Sequence, residues 1–227
     1  MSFSEKVLQL KQDFDDVFEA GKKEIWKGIT CNGTRVHYAN AFAYQDLDYF
    51  YPCYDMQPTN ASYMFTQTRN NGQLDLVDRL AKCGVTLDFS KSTNMQRTFY
   101  VSGMTRIGVI DCSSASGLDY LVCSSLYLHT IEKMIVHKGN TYTSSFDAAS
   151  ALEEIRFEGE IGNNINFSAC TKLSHDSLIN DEGNGAINVL TKLESGVTRT
   201  LSLGTTNLAK LTEDEKDVAR QKGWTLE

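Results

Sequence analysis

The residue types that most often carry chemistry are present in this chain but scattered. Its four histidines, His37, His129, His137 and His175, fall in no H-E-x-x-H and in no Cys/His spacing suited to zinc. No G-x-S-x-G and no phosphate-binding G-x-x-x-x-G-K-[ST] occurs. His137 follows a stretch that reads as a strand and is better taken as a surface residue than as a ligand. "NDEGNG", Asn180 to Gly185, has the composition of a calcium loop without the alternating Asp/Asn ladder or its closing Glu, so it reads as a turn. Asp15, Asp16 and Glu19 sit on the solvated face of a helix. Only Asp46, Asp48 and Asp55, among tyrosines, offer clustered carboxylates of the kind that act on glycans. The six cysteines form no C-x-x-C, and Cys112 and Cys170 take apolar or small places in a repeated phrase. That favours buried thiols in a reducing compartment over three disulfides. The expectation is therefore a protein that is not an enzyme, with no cofactor and no metal.

What the chain offers instead is material for recognition. Between Tyr44 and Phe65 lie Tyr44, Tyr49, Phe50, Tyr51, Tyr54, Tyr63 and Phe65, together with the only two prolines, Pro52 and Pro58. Tyr presents a flat apolar ring and a hydroxyl together, which suits sugars and protein surfaces. These rings plug the open end of the structure that follows; the alternative is a ligand platform made of Tyr44, Tyr49, Tyr51 and Tyr54. Near the start, Ser2 and Glu5 have capping-box spacing. Phe3, Val7, Leu10, Phe14 and Val17 then advance in steps of 4, 3, 4 and 3. That seam is either the buried stripe of an amphipathic helix or a short coiled coil that joins protomers.

The elements that would position such groups are written as repeats. "LDFSKSTNM" (Leu87 to Met95) returns as "INFSACTKL" (Ile165 to Leu173), and "IDCS" begins at Ile110. Segments starting at Thr59, Thr93, Ser116 and Asn140 each carry an apolar residue and a larger one four places on, ending at Phe65, Phe99, Val122 and Phe146. This spacing predicts a single helical turn with both groups on one face. Met104-x-x-Ile107-x-Val109, Ile131-x-x-Met134-x-Val136 and Leu152-x-x-Ile155-x-Phe157 share a spacing that predicts short strands with one face buried. Strand, turn, helical turn and strand again describe a solenoid whose coils share one core, with Phe65, Phe99, Val122 and Phe146 aligned along it. Outward residues of the strands, Arg106, Lys133, Ile135, His137, Glu154, Arg156 and Glu158, would then form one continuous surface of mixed charge.

Helices complete the reading. In "QLDLVDRLAKCGV", Leu76, Val77 and Leu80 share a face and Gly84 supplies a left-handed stop. "GAINVLTKLESG" predicts a further helix between Gly185 and Gly196. Thr212 and Glu215 form a capping box ahead of "TEDEKDVARQK", with Gly223 as the stop, which reads as a polar helical cap. The organisation is an N-terminal helix over 1–25, an aromatic cap over 26–72, the repeats over 73–180 and a C-terminal repeat with capping helix over 181–227. The formal charge of -7 without a basic run argues against nucleic acid. No stretch is long and apolar enough to span a membrane, and the start lacks the pattern of a signal peptide, so synthesis in the cytoplasm without a leader is expected.

"YDMQPTNASYMF" (Tyr54 to Phe65) and "LDFSKSTNMQRTF" (Leu87 to Phe99) resemble the coils of BspA-like leucine-rich repeats. "EAGKK" and the closing "NLAKLTEDEKDVARQKGWTLE" resemble the ends of proteins from phage and prophage tail gene clusters of Gram-positive bacteria. The resemblance implies an α/β fold: an irregular leucine-rich-repeat solenoid with short parallel strands, an N-terminal helix and a C-terminal helical cap. It implies a non-catalytic, virion- or tail-associated protein that binds a protein or glycan on the host cell, trimeric through the N-terminal seam. The alternative is an intracellular interaction protein that inhibits a host defence enzyme. The coil lengths are irregular and places such as Ala61 and Val122 depart from the family pattern.

Overall fold

The computed structural model describes residues 38–52, 55–68, 74–179 and 189–227. The N-terminal seam of Phe3, Val7, Leu10, Phe14 and Val17 lies outside them, as do Tyr54 and the "NDEGNG" stretch. The fold is mixed α/β with parallel strands in two sheets. The first joins β1 (Leu74–Asp75), β2 (Met104–Asp111), β3 (Thr130–Ile135) and β4 (Glu154–Glu158), each paired with the next in the chain. The second joins β5 (Ile165–Asn166), β6 (Arg199–Ser202) and β7 (Trp224–Leu226).

The strands exist because their buried residues line up across the sheet. Ile107, Ile131 and Ile155 form one fully buried row, and Ile110, Met134 and Phe157 another. The pairing corrects the register expected from sequence. Ile131 stands beside Ile107, so the partner of Met104 is Leu128, whose neighbour His129 donates to the Thr105 carbonyl. Val109, expected to be buried, is 47% exposed, and Ile110 takes the core place. The shared spacing is real, but x-x spacers recur within it and permit a slip of three. Between Ile131 and Met134 the β3–β4 register shifts, which places one extra β3 residue opposite β4.

The segments expected to form helical turns do something else. Ala61, Tyr63, Phe65 and Gln67 donate their N–H groups to the carbonyls of Asn94, Gln96, Thr98 and Tyr100 in the next segment. Arg97, Phe99 and Val101 donate on to Asp119, Leu121 and Cys123, and Leu118, Tyr120, Val122 and Ser124 to Thr141, Thr143, Ser145 and Asp147. Alternate residues close turns within the segment, as Met64 does on Ala61 and Thr66 on Tyr63. Half of the main-chain donors thus bond sideways and half bond locally, which no helix allows. Each segment needs two left-handed residues four apart: Asn40 and Tyr44, Tyr63 and Gln67, Arg97 and Val101, Tyr120 and Ser124, Ser144 and Ala148, all with φ between 50° and 62°. The i, i+4 apolar pairs do share a face, but it is the inner face of consecutive turns.

That register aligns Phe42, Phe65, Phe99, Val122 and Phe146. The Phe65 ring stacks on Phe42 at 5.2 Å and on Phe99 at 5.5 Å. Phe146 meets Phe167 at 4.5 Å. All belong to one core cluster that runs from Tyr38 to Trp224. Corners are set by the acid or amide of the repeated phrase: Asp88, Asp111 and Asn166 accept the N–H groups of Ser90, Ser113 and Ser168. Buried Asn140 and Asn207 donate to carbonyls of the turns at Cys112–Ala115 and Phe167–Cys170.

The helices are α1 (Leu76–Cys83), α2 (His175–Ile179), α3 (Val189–Lys192), α4 (Gly204–Leu208) and α5 (Glu213–Gln221). Asp75 caps α1, and Gly84 ends it at φ 63° and ψ 34°. In α5 the Thr212–Glu215 capping box is present in both directions. Of the helix expected between Gly185 and Gly196, the described residues show only α3. Gly223 does more than stop α5. At φ 92°, with a Cβ placed there only 2.2 Å from the Val197 carbonyl oxygen, it lets the chain return as β7 against β6.

Candidate binding surface

The outward face of the first sheet carries the residues singled out from sequence. Arg106, Thr130 and Glu154 lie in one cross-strand row, and Asp111, Ile135 and Glu158 in another. Arg106 reaches Glu132 through Nη2 and Asp75 at 3.4 Å through Nη1, which raises its pKa, chiefly through the Glu132 hydrogen bond. Lys133 Nζ meets Glu158 at 2.9 Å. His129 and Glu153 extend the charged rows at 3.3 Å. Val109 projects from the middle of this face and Ile135 is half-buried beside it. Arg156 is exposed, and its side chain makes no hydrogen bond or ion pair with the described residues. His137 departs from the others: its Nε2 lies 3.0 Å from the Ala115 carbonyl oxygen and Nδ1 accepts the Gly139 N–H, which ties it to the turn below the sheet.

Of the tyrosines expected to act together, Tyr54 lies outside the described residues, and Tyr44 and Tyr51 sit in different settings. Tyr44 is 68% exposed, whereas Tyr51 is half-buried beneath the Arg79 guanidinium at 4.3 Å. Tyr49 ends a 3₁₀ turn, Leu47–Tyr49, that Asp46 caps through the Asp48 N–H. Asp55 binds both the N–H and the hydroxyl of Thr86, and the backbone bond leads in lowering its pKa. These acids hold turns in place.

An aromatic cluster that sequence reasoning missed lies on the turn ladder. Arg97 sits 4.7 Å from the Tyr120 ring, 5.4 Å from Tyr100 and 5.5 Å from Tyr63. Tyr63, Arg97 and Tyr120 share the same left-handed place in successive segments, so the lateral register stacks them. The signal was available in their common offset, two residues after the first apolar place of each repeat.

The cysteine readings fall out by burial. Cys112, Cys123 and Cys170 are buried free thiols, and Cys83 is half-buried. Desolvation first, then Asp147, pushes the Cys170 thiol up to about 12, and burial pushes Cys112 higher. No group of three His, Cys, Asp or Glu side chains among the described residues is placed to hold a metal ion. No described helix is long and apolar enough to cross a membrane. Comparison of the chain with protein-family models, with curated proteins and with solved structures finds no match.

Proposed function

We propose that this chain is a non-catalytic recognition protein. Its in-order parallel segments form an irregular leucine-rich-repeat-type solenoid, and the outward face of β1 to β4 meets a protein or glycan partner. The observation that carries the reading is the state of that face. Arg106, Glu132, Lys133 and Glu158 are already fixed by cross-strand pairs around exposed Val109, while Arg156 keeps an uncommitted guanidinium. Side chains ordered in advance lose little entropy on binding, and an apolar centre with a charged rim is the usual anatomy of a specific interface. The resemblance of the repeats and termini supports a role in a phage tail or virion, with a host-cell surface as the partner.

The test is binding of the purified full chain to intact Gram-positive cells and, separately, to their soluble lysate. The paired substitution Val109→Asp with Arg156→Glu should lower cell binding at least tenfold and leave the melting temperature unchanged. Binding confined to the lysate moves the protein inside the host, where inhibition of a soluble enzyme becomes the reading. Binding that survives the double substitution rejects this face.

A further inference from the structure

The ladder that links the turn segments has a direction. Along each segment alternate N–H groups point to the following segment, and carbonyls between them accept from the preceding one. The donors of Leu118, Tyr120, Val122 and Ser124 are all taken by the segment that starts at Asn140. The next set in the same column, the N–H groups of Tyr142, Ser144, Phe146 and Ala148, finds no acceptor among the described residues. The main chain of Asn163–Asn166, which follows in space, does not close the ladder there: Ile165 and Asn166 pair with β6 on the other side, and only side chains cross, Asn163 Nδ2 to the Asn140 carbonyl and Asn166 Nδ2 to the Asp147 carboxylate. Between Thr141–Thr143 and Asn163–Asn166 lies a groove of about 730 Å³.

The two walls differ in polarity. One is formed by Thr141, Tyr142 and Thr143 and carries the open Tyr142 N–H, with the next open donor, that of Ser144, directly beyond its end. The other carries Asn163, Asn164, Arg199 and Glu227. Asn164 Oδ1 already accepts the Thr200 N–H, and Arg199 donates to the Gly162 carbonyl through Nε and to the Thr198 carbonyl through Nη1. The main-chain oxygen of Glu227 accepts the Leu203 and Gly204 N–H groups, so the rest of the guanidinium and the Glu227 side-chain carboxylate remain for a ligand.

We propose that this groove receives an extended segment of a partner polypeptide, which adds to the ladder as its next member. The carbonyls of the segment accept from Tyr142 and Ser144, its N–H groups face Glu227 and the asparagine amides, and an acidic side chain on it reaches Arg199. A polypeptide is the occupant because every filled donor in this ladder meets main-chain carbonyls two residues apart, as at Thr141, Thr143, Ser145 and Asp147. A polypeptide repeats carbonyls at that interval, whereas the hydroxyls of a sugar ring do not. This is strand addition in a ladder whose open edge offers unpaired main-chain donors. Phe146 and Phe167 fill the space beneath, so the inward residues of the segment must be small.

The experiment has two readouts on the full-length protein. By amide exchange of the free protein, Tyr142 and Ser144 should exchange at least tenfold faster than Tyr120 and Ser124. Panning with a displayed library of linear heptapeptides, counter-selected on Thr143→Trp, should yield binders with an acid and small alternate residues. Such a peptide, synthesised and titrated into ¹⁵N-labelled protein, should shift and protect the Tyr142 and Ser144 amides. It should lose at least tenfold in affinity on Arg199→Ala or on N-methylation of its own main chain. Slow exchange of both amides in the free protein overturns the proposal. So does a library without groove-dependent binders, or a groove that responds to sialyllactose and not to peptide.

Discussion

At the scale of single residues the conformational demands of the ladder stand out. Left-handed backbone is costly for any residue with a Cβ, by roughly 1–2 kcal/mol, and most so for a β-branched one. Val101, at φ 53°, is such a residue, and it is partly exposed. Its N–H and its turn are needed, but its side chain is not part of the core. Val101→Gly should therefore stabilise the protein by about 1 kcal/mol after the entropy cost of glycine. Chemical denaturation would show a higher midpoint with an unchanged slope; a lower midpoint would mean that the exposed side chain packs productively. Arg97 tolerates the same backbone at φ 55° and gains three tyrosine rings. Sequence alone could not expose this requirement, because residues as different as Tyr63, Gln67, Arg97 and Ala148 meet it, without the glycine that usually signals a left-handed turn.

At the scale of elements, the features governed by local rules were legible and those governed by long-range pairing were not. The caps of α1 and α5 follow from Asp75, Gly84, Thr212 and Glu215, all within a few residues of the helices they bound. The column of Phe65, Phe99, Val122 and Phe146 was legible because the ladder repeats with the apolar period. The β3 register and the burial of Ile110 were not, since they depend on which of two equal spacings faces β2. The open edge of the groove was invisible as well, because unpaired main-chain N–H groups have no residue signature. Two predictions belong here. Thr212→Ala removes the acceptor for the Glu215 N–H and should cost about 1 kcal/mol, measured by thermal or urea unfolding. Acid should also unfold the protein through its corner and cap carboxylates. The Thr212 backbone bond leads in lowering the Glu215 pKa. At Asp88, desolvation acts upward but is outweighed by the Ser90 and Gln57 hydrogen bonds and the Lys91 charge. A carboxyl whose folded pKa lies below its unfolded value stabilises the fold above about pH 4 and loses that contribution as pH falls through the folded value. The melting temperature should hold from neutral pH to about pH 5 and then drop; a temperature that rises on acidification would contradict the sign.

At the scale of the whole molecule the question is whether neighbouring segments can survive one another's loss. Phe99 stacks flat on Phe65 with an interplanar angle of 5° and meets Phe89 edge-on at 5.9 Å. Its N–H reaches the Leu121 carbonyl while its own carbonyl takes the Ser125 hydroxyl and the Ser102 N–H. A single segment buries only one row of apolar side chains and shares every lateral hydrogen bond with its neighbours, so none has a core of its own. Removing the ring should then be felt in both directions along the ladder. Phe99→Ala should cost about 3–5 kcal/mol, the range for a large core truncation. Amide protection at Phe65 and at Val122 should fall together, although Val122 lies beyond the lost ring contact. Protection lost around Phe99 alone would mean that the segments fold as independent units, and the shared core would then contribute less than the ladder of hydrogen bonds that crosses it.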